Sequence, residues 1–119
     1  MIQDSKNYST VVHSPKVYVT QDTDLDLAKA TVYGELVPLL PRKKNITLSP
    51  QPVIRELRQK LRNFTDADYL LLIGDPVAII LAGMVTAEMN NGRIRTLKWD
   101  RLINNYYPVT IDFYDRGVK

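Results

Sequence analysis

Apolar residues gather most densely in the middle of this chain. Tyr69-Leu-Leu-Leu-Ile73 is an unbroken apolar run, and from Pro76 to Ala87 no charged residue interrupts a second one. Five apolar residues in a row suit a central parallel strand covered on both faces. Gly74-Asp75-Pro76 between the two runs supplies a tight turn, an N-cap and a first helical residue. The second run predicts a helix over 76–89, stopped by Asn90-Asn91-Gly92. Because that helix is apolar nearly all round, it must be buried on more than one side or lie in a subunit interface.

The remaining pattern supplies the other elements. Lys16-Val-Tyr-Val-Thr20 has the long and β-branched residues of a strand. A short helix over Leu25–Tyr33 follows, capped by an aspartate and ended by Gly34. Glu35–Leu40 is a second strand, with Pro38 marking an edge or a strand end because proline cannot donate to the ladder. Ser49-Pro50 opens a helix running to Phe64. In it Val53, Ile54, Leu57, Leu61 and Phe64 fall at helical spacing, with Arg55, Arg58, Gln59 and Arg62 on the outer face. Glu56 and Lys60 form an i,i+4 pair.

After a turn over Thr65–Asp68 and the central strand and helix come a strand over Arg93–Trp99, a turn over Asp100–Asn105 and a strand over Tyr106–Phe113. In the last strand Tyr107, Val109, Ile111 and Phe113 share one face and Tyr106, Pro108, Thr110 and Asp112 the other. Pro108 again indicates an edge. Strands alternating with helices predict an α/β fold: a small layered domain with a mostly parallel sheet of four to five strands and a C-terminal antiparallel hairpin at its edge. Two main helices and one short one complete it. Three layers are expected, with both long helices on one face as the alternative. The domain spans 16–113, after an arm or disordered tail at 1–15 and before a tail at 114–119.

Composition narrows the chemistry. A chain of 119 residues, 45% hydrophobic and 24% charged, suits one soluble globular domain with a sizeable core. With no cysteine, disulfides, thiol catalysis and cysteine-ligated metals are excluded. The longest uncharged run is shorter than the roughly 20 residues of a membrane span, so no membrane association is expected. The start lacks the basic and apolar regions of a secretion signal. A net charge of +3 gives modest attraction to acidic partners, nucleic acid among them.

Site motifs are sparse. Asp22, Asp24 and Asp26 resemble the opening of a calcium loop, but Leu27 stands where glycine is required and Tyr33 where glutamate is. Arg42-Lys43-Lys44 reads as a solvated basic loop. The turn at Gly74 and Asp75 lies where open α/β sheets bind ligands, so a small anion or nucleotide is a candidate there. Asp75 and Pro76 oppose it, and neither standard phosphate-binding glycine motif is present. Asp75 with Asp68 or Asp100 is the only carboxylate pairing worth testing, and the single histidine, His13, falls in the arm. No catalytic, cofactor-binding or metal-ligating residue is assigned, and no cofactor is expected. Candidate interaction residues are Trp99, Arg101, Tyr106 and Tyr107 around the final hairpin, beside Lys98, and the basic stripe Arg55, Arg58 and Arg62.

Tyr33-Gly-Glu-Leu-Val37, Asp68-Tyr-Leu-Leu-Leu-Ile-Gly-Asp-Pro76, Leu97-Lys-Trp-Asp-Arg101 and Tyr107-Pro-Val-Thr-Ile-Asp112 together resemble a group of short proteins of unassigned activity encoded by tailed bacteriophages, mostly phages of cyanobacteria and other aquatic bacteria. The resemblance covers residues 16–113 and leaves the arm outside. It implies origin alone: a phage protein working in the bacterial host cytoplasm or built into the virion. Three functions compete on these grounds. One is a non-enzymatic accessory protein that binds a host or phage protein, with a homodimer as one form. The second is a decoration or connector component of the virion that uses the arm, and the third an anion- or nucleotide-binding domain.

Overall fold

A computed structural model describes residues 14–42 and 50–114. Its five-stranded sheet consists of β1 (Lys16–Gln21), β2 (Glu35–Leu40), β3 (Tyr69–Leu71), β4 (Arg93–Asp100) and β5 (Asn105–Asp112). The spatial order is β2-β1-β3-β4-β5, parallel except for the antiparallel β4–β5 pair. Two long helices, α1 (Pro50–Leu61) and α2 (Pro76–Met89), and a 3₁₀ helix over Ala28–Tyr33 complete it. The fold is α/β, as the alternation of elements predicts. Both strands that contain proline, β2 and β5, lie at the sheet's edges.

From β1 the chain steps one way, through the 3₁₀ helix, to β2. It then reverses, crossing over β1 to β3 and on to β4. Crossovers of a single hand must therefore put the 3₁₀ helix on one face and both long helices on the other. The core divides accordingly. Tyr18, Leu70 and Ile94 of the sheet meet Val53, Leu57 and Leu61 of α1 and Ala78, Ala82 and Val85 of α2. On the opposite face Val17, Val19, Leu71, Leu97 and Tyr106 pack with Ala30. The two layer expectations thus merge: both long helices share one face, and the third layer is a single 3₁₀ helix. Adjacent Leu70 and Leu71 serve different faces, which is why the central strand has no polar position.

Several boundaries differ from the sequence reading, each for a local reason. The short helix begins at Ala28 instead of Leu25 and is 3₁₀. Asp26 Oδ1 accepts the Ala28 N–H at 2.9 Å and fixes its start. It ends at Gly34, where a Cβ would collide with the Pro15 carbonyl. The second helix stops at Leu61, because the Phe64 N–H turns back to the Leu61 carbonyl at 3.0 Å and Phe64 enters the core against Tyr18. β3 stops at Leu71 instead of Ile73 because the Thr20 hydroxyl bonds both the N–H and the carbonyl of Ile73. In the final hairpin, β4 and β5 each gain a residue at the turn, which leaves only 101–104 as connection, with Asn104 at φ 53°.

Asp68 is fully buried at the start of β3. It accepts the Lys16 N–H at 2.9 Å and the Thr65 N–H at 2.8 Å, which ties the entrance of β1 to that of β3. At the same end of the sheet Asn90 Nδ2 donates to Asp66 Oδ1 at 2.9 Å, and Arg93 Nε reaches that oxygen at 3.2 Å. The Asn90 bond first, then Arg93, holds the Asp66 carboxyl below its ordinary range.

Candidate functional site

An open sheet of this order has its switch point between β1 and β3, and ligands in such sheets bind outside the carboxyl ends of those strands. Here the turn at that position is tied down from within. Gln21, the last residue of β1, accepts the Asp75 N–H on Oε1 at 2.8 Å and donates through Nε2 to the Pro41 carbonyl at 3.1 Å. Asp75 Oδ1 takes the Val77 N–H at 2.7 Å as the N-cap, Thr20 takes the Ile73 N–H, and Pro76 has none. The amides at 73, 75 and 77 are therefore committed, and a side chain at Gly74 (φ 112°) would strike Gln21. The Gly74–Asp75 turn is held as a structural joint.

One of the two carboxylate pairings is separated by the sheet. Asp68 lies at the opposite end of β3 from Asp75. Asp100 accepts the Leu102 N–H at 2.9 Å in its own turn. Asp22 and Asp24 face Arg42 at 3.4 and 3.9 Å, while Asp26 caps the 3₁₀ helix. The basic loop beyond Arg42, at Lys43 and Lys44, falls outside the described residues, as does the arm up to His13.

The hairpin aromatics divide between the two faces of the sheet. Tyr106 is buried, with Trp99 edge-on to it at 4.9 Å. Lys29 sits 5.8 Å from the Trp99 ring centroid and donates to the Asn104 carbonyl at 2.7 Å. The Tyr33 hydroxyl donates to the Tyr106 carbonyl at 3.3 Å. Burial, and secondarily the Asp26 charge, raises the Tyr106 phenol above its ordinary value. Trp99 and Tyr106 are thus tied into the 3₁₀ layer, whereas Tyr107 faces the helical side and Arg101 is exposed in the turn. Leu102 and Ile103, which the sequence reading left in a turn, project into solvent beside it.

Arg55 on α1 and Arg62, one residue past its end, are exposed. Arg58 is engaged: its Nε and an Nη contact the two Glu88 carboxylate oxygens at 2.9 and 3.3 Å, binding α1 to α2.

An apolar surface is left open on α2. Its side toward the sheet buries small residues, Ala78, Ala82, Val85 and Thr86. Leu81 and Met89 also pack against the core, but two large residues point outward, Ile80 60% and Met84 63% exposed. The helices stop short of β5, so helical-side residues at the end of that strand are also uncovered: Ile111 is 42% exposed, and Phe113, just past the strand, is 72% exposed. Between helix and strand lies an apolar groove of about 630 Å³ lined by Ile80, Gly83, Met84, Ile94, Ile111 and Phe113. Sequence reasoning left these residues out of the candidate set. The signals were present separately, as a helix with no polar face and a strand with one apolar face, but only the sheet order brings them side by side.

Fold and surface together define a small doubly wound α/β domain with an apolar groove open beside α2. Among the described residues no helix is long and apolar enough to cross a membrane, and no cluster of His, Cys, Asp or Glu is placed to hold a metal ion. A family model for Phage Pam3 gp32-like proteins matches residues 11–113, and the chain belongs to that family. The match takes in residues 11–15, which the sequence reading had placed in the arm beyond the resemblance. Neither the curated proteins nor the solved structures provide a match.

Proposed function

We propose that this phage protein is a non-enzymatic binding module whose working surface is the α2–β5 groove. The observation that carries this reading is the inverted helix, with its small residues buried and Ile80 and Met84 in solvent. An exposed apolar patch of this kind marks an interaction site on soluble proteins. The hairpin tip at Arg101 and the exposed arginines Arg55 and Arg62 are read as separate, secondary contacts for an acidic surface of a host or phage protein. The site of action is the host cytoplasm or the virion, and a homodimer is one form the contact takes. Affinity capture from infected cells tests the assignment. Wild-type chain should retain a partner that Ile80→Asp and Phe113→Ser lose, with Arg55→Ala and Arg62→Ala weakening capture less. Retention by both groove variants, folded by circular dichroism, would count against it.

A further inference from the structure

Gly83 stands at the centre of the uncovered side of α2, and a Cβ built on it meets no heavy atom within 4 Å. Glycine inside a helix costs about 1 kcal/mol relative to alanine, and nothing among the described residues requires that cost here. What glycine does give is a flat hollow beside the ridge of Ile80 and Met84, against which another backbone can pack closely.

We propose that a second copy of this chain occupies the groove, with two α2 helices meeting across Gly83 about a two-fold axis and Phe113 of each copy closing the contact. This rests on reading the groove as the binding surface and adds its occupant. Three features favour a second copy. First, ridge and hollow lie side by side in one patch, so a two-fold sets the ridge of each copy against the hollow of the other, as an isologous contact requires. Second, among the described residues the one charged group lining the groove, Glu88, pairs within the chain with Arg58 at 2.9 Å. Bringing identical patches together therefore creates no like-charge conflict, and the patch offers no net charge to select a charged partner. Third, Ile80, Met84, Ile111, Phe113 and Tyr114 line one groove and are each between 42% and 72% exposed, the contiguous large apolar set that the centre of a stable interface of roughly 800 Å² per partner is built from.

Sedimentation equilibrium of the full 119-residue chain tests this. The wild type should show a concentration-dependent rise to twice the monomer mass. Ile80→Asp and Gly83→Leu should each weaken association at least tenfold, while retaining the wild-type circular dichroism spectrum, since both positions face open space. Leu102→Asp, at the 96% exposed hairpin tip, should leave association unchanged. A wild type that stays monomeric at every concentration, or a dimer indifferent to both groove variants, overturns the proposal. If the monomeric chain still captures a partner from infected cells through Ile80 and Phe113, only the choice of occupant has failed. If those variants alter neither association nor capture, the groove reading fails with it.

Discussion

Gln21 bridges to Asp75, its side-chain oxygen accepting the Asp75 N–H at 2.8 Å across the point where the chain reverses direction in the sheet. The same carboxamide donates to Pro41, so one side chain joins the ends of β1, β2 and β3 at the end of the sheet where doubly wound folds receive ligands. Gln21→Ala leaves the Asp75 N–H and the Pro41 carbonyl unpaired. It should destabilise the fold by about 1–3 kcal/mol, read as a lower urea midpoint with an unchanged denaturant slope.

Gly74 and Gly83 should respond in opposite directions to alanine. At Gly74 the backbone is at φ 112° and the new methyl meets Gln21, so Gly74→Ala should cost about 1–3 kcal/mol. At Gly83 the methyl meets nothing, and Gly83→Ala should stabilise the monomer by about 0.5–1 kcal/mol. Thermal melts at a dilution that keeps the chain monomeric check both signs.

Asp68 is the second joint. Asp68→Ala strands the Lys16 and Thr65 N–H groups that its carboxylate accepts, at a site shut off from solvent. A loss of about 1–3 kcal/mol is expected. Amide hydrogen exchange should show faster opening at the starts of β1 and β3 first.

Titration supplies a further check. Burial, followed by the charges of Asp68 and Glu35, raises the Tyr18 phenol above its ordinary value of 10. The unfolded chain therefore releases this proton at lower pH than the folded one. The associated stability is full below pH 10 and declines as pH climbs from there toward the raised folded value. Tyr18→Phe should flatten that alkaline decline in urea midpoints measured on either side of pH 10. Asp66, held low by Asn90 and Arg93, acts at the other end. Its contribution is present above the ordinary carboxylate range and fades as pH falls through the depressed value, so Asp66→Asn should flatten the acid limb.

The architecture was legible because its signals are local. The apolar run at 69–73, the Asp75-Pro76 helix start, the Asn90-Asn91-Gly92 stop and the two edge prolines each state their role within a few residues. What the sequence concealed depends on contacts made at a distance. Gln21 carries no motif, yet it ties down the switch point through a residue 54 positions away. Arg58 reads as solvated surface until α2 places Glu88 beside it. Tyr106 and Tyr107, adjacent in sequence, point to opposite faces, so a cluster of hairpin aromatics divides into one buried ring and one partly exposed ring. The groove itself was half stated: apolarity all round α2 demanded burial or an interface, and the uncovered Ile80 and Met84 favour the interface.

Because the chain contains no cysteine, one introduced thiol reports on one position, and the alkylation rate of Met84→Cys tests the groove most directly. Met84 is 63% exposed in the isolated chain, so the thiol should react quickly in dilute purified protein. In infected-cell lysate, where the chain meets its own copies and any partner, the rate should fall several-fold, while Leu102→Cys at the hairpin tip reacts equally fast in both settings. Equal rates at position 84 in the two settings would contradict the claim that this groove is the surface through which the protein works.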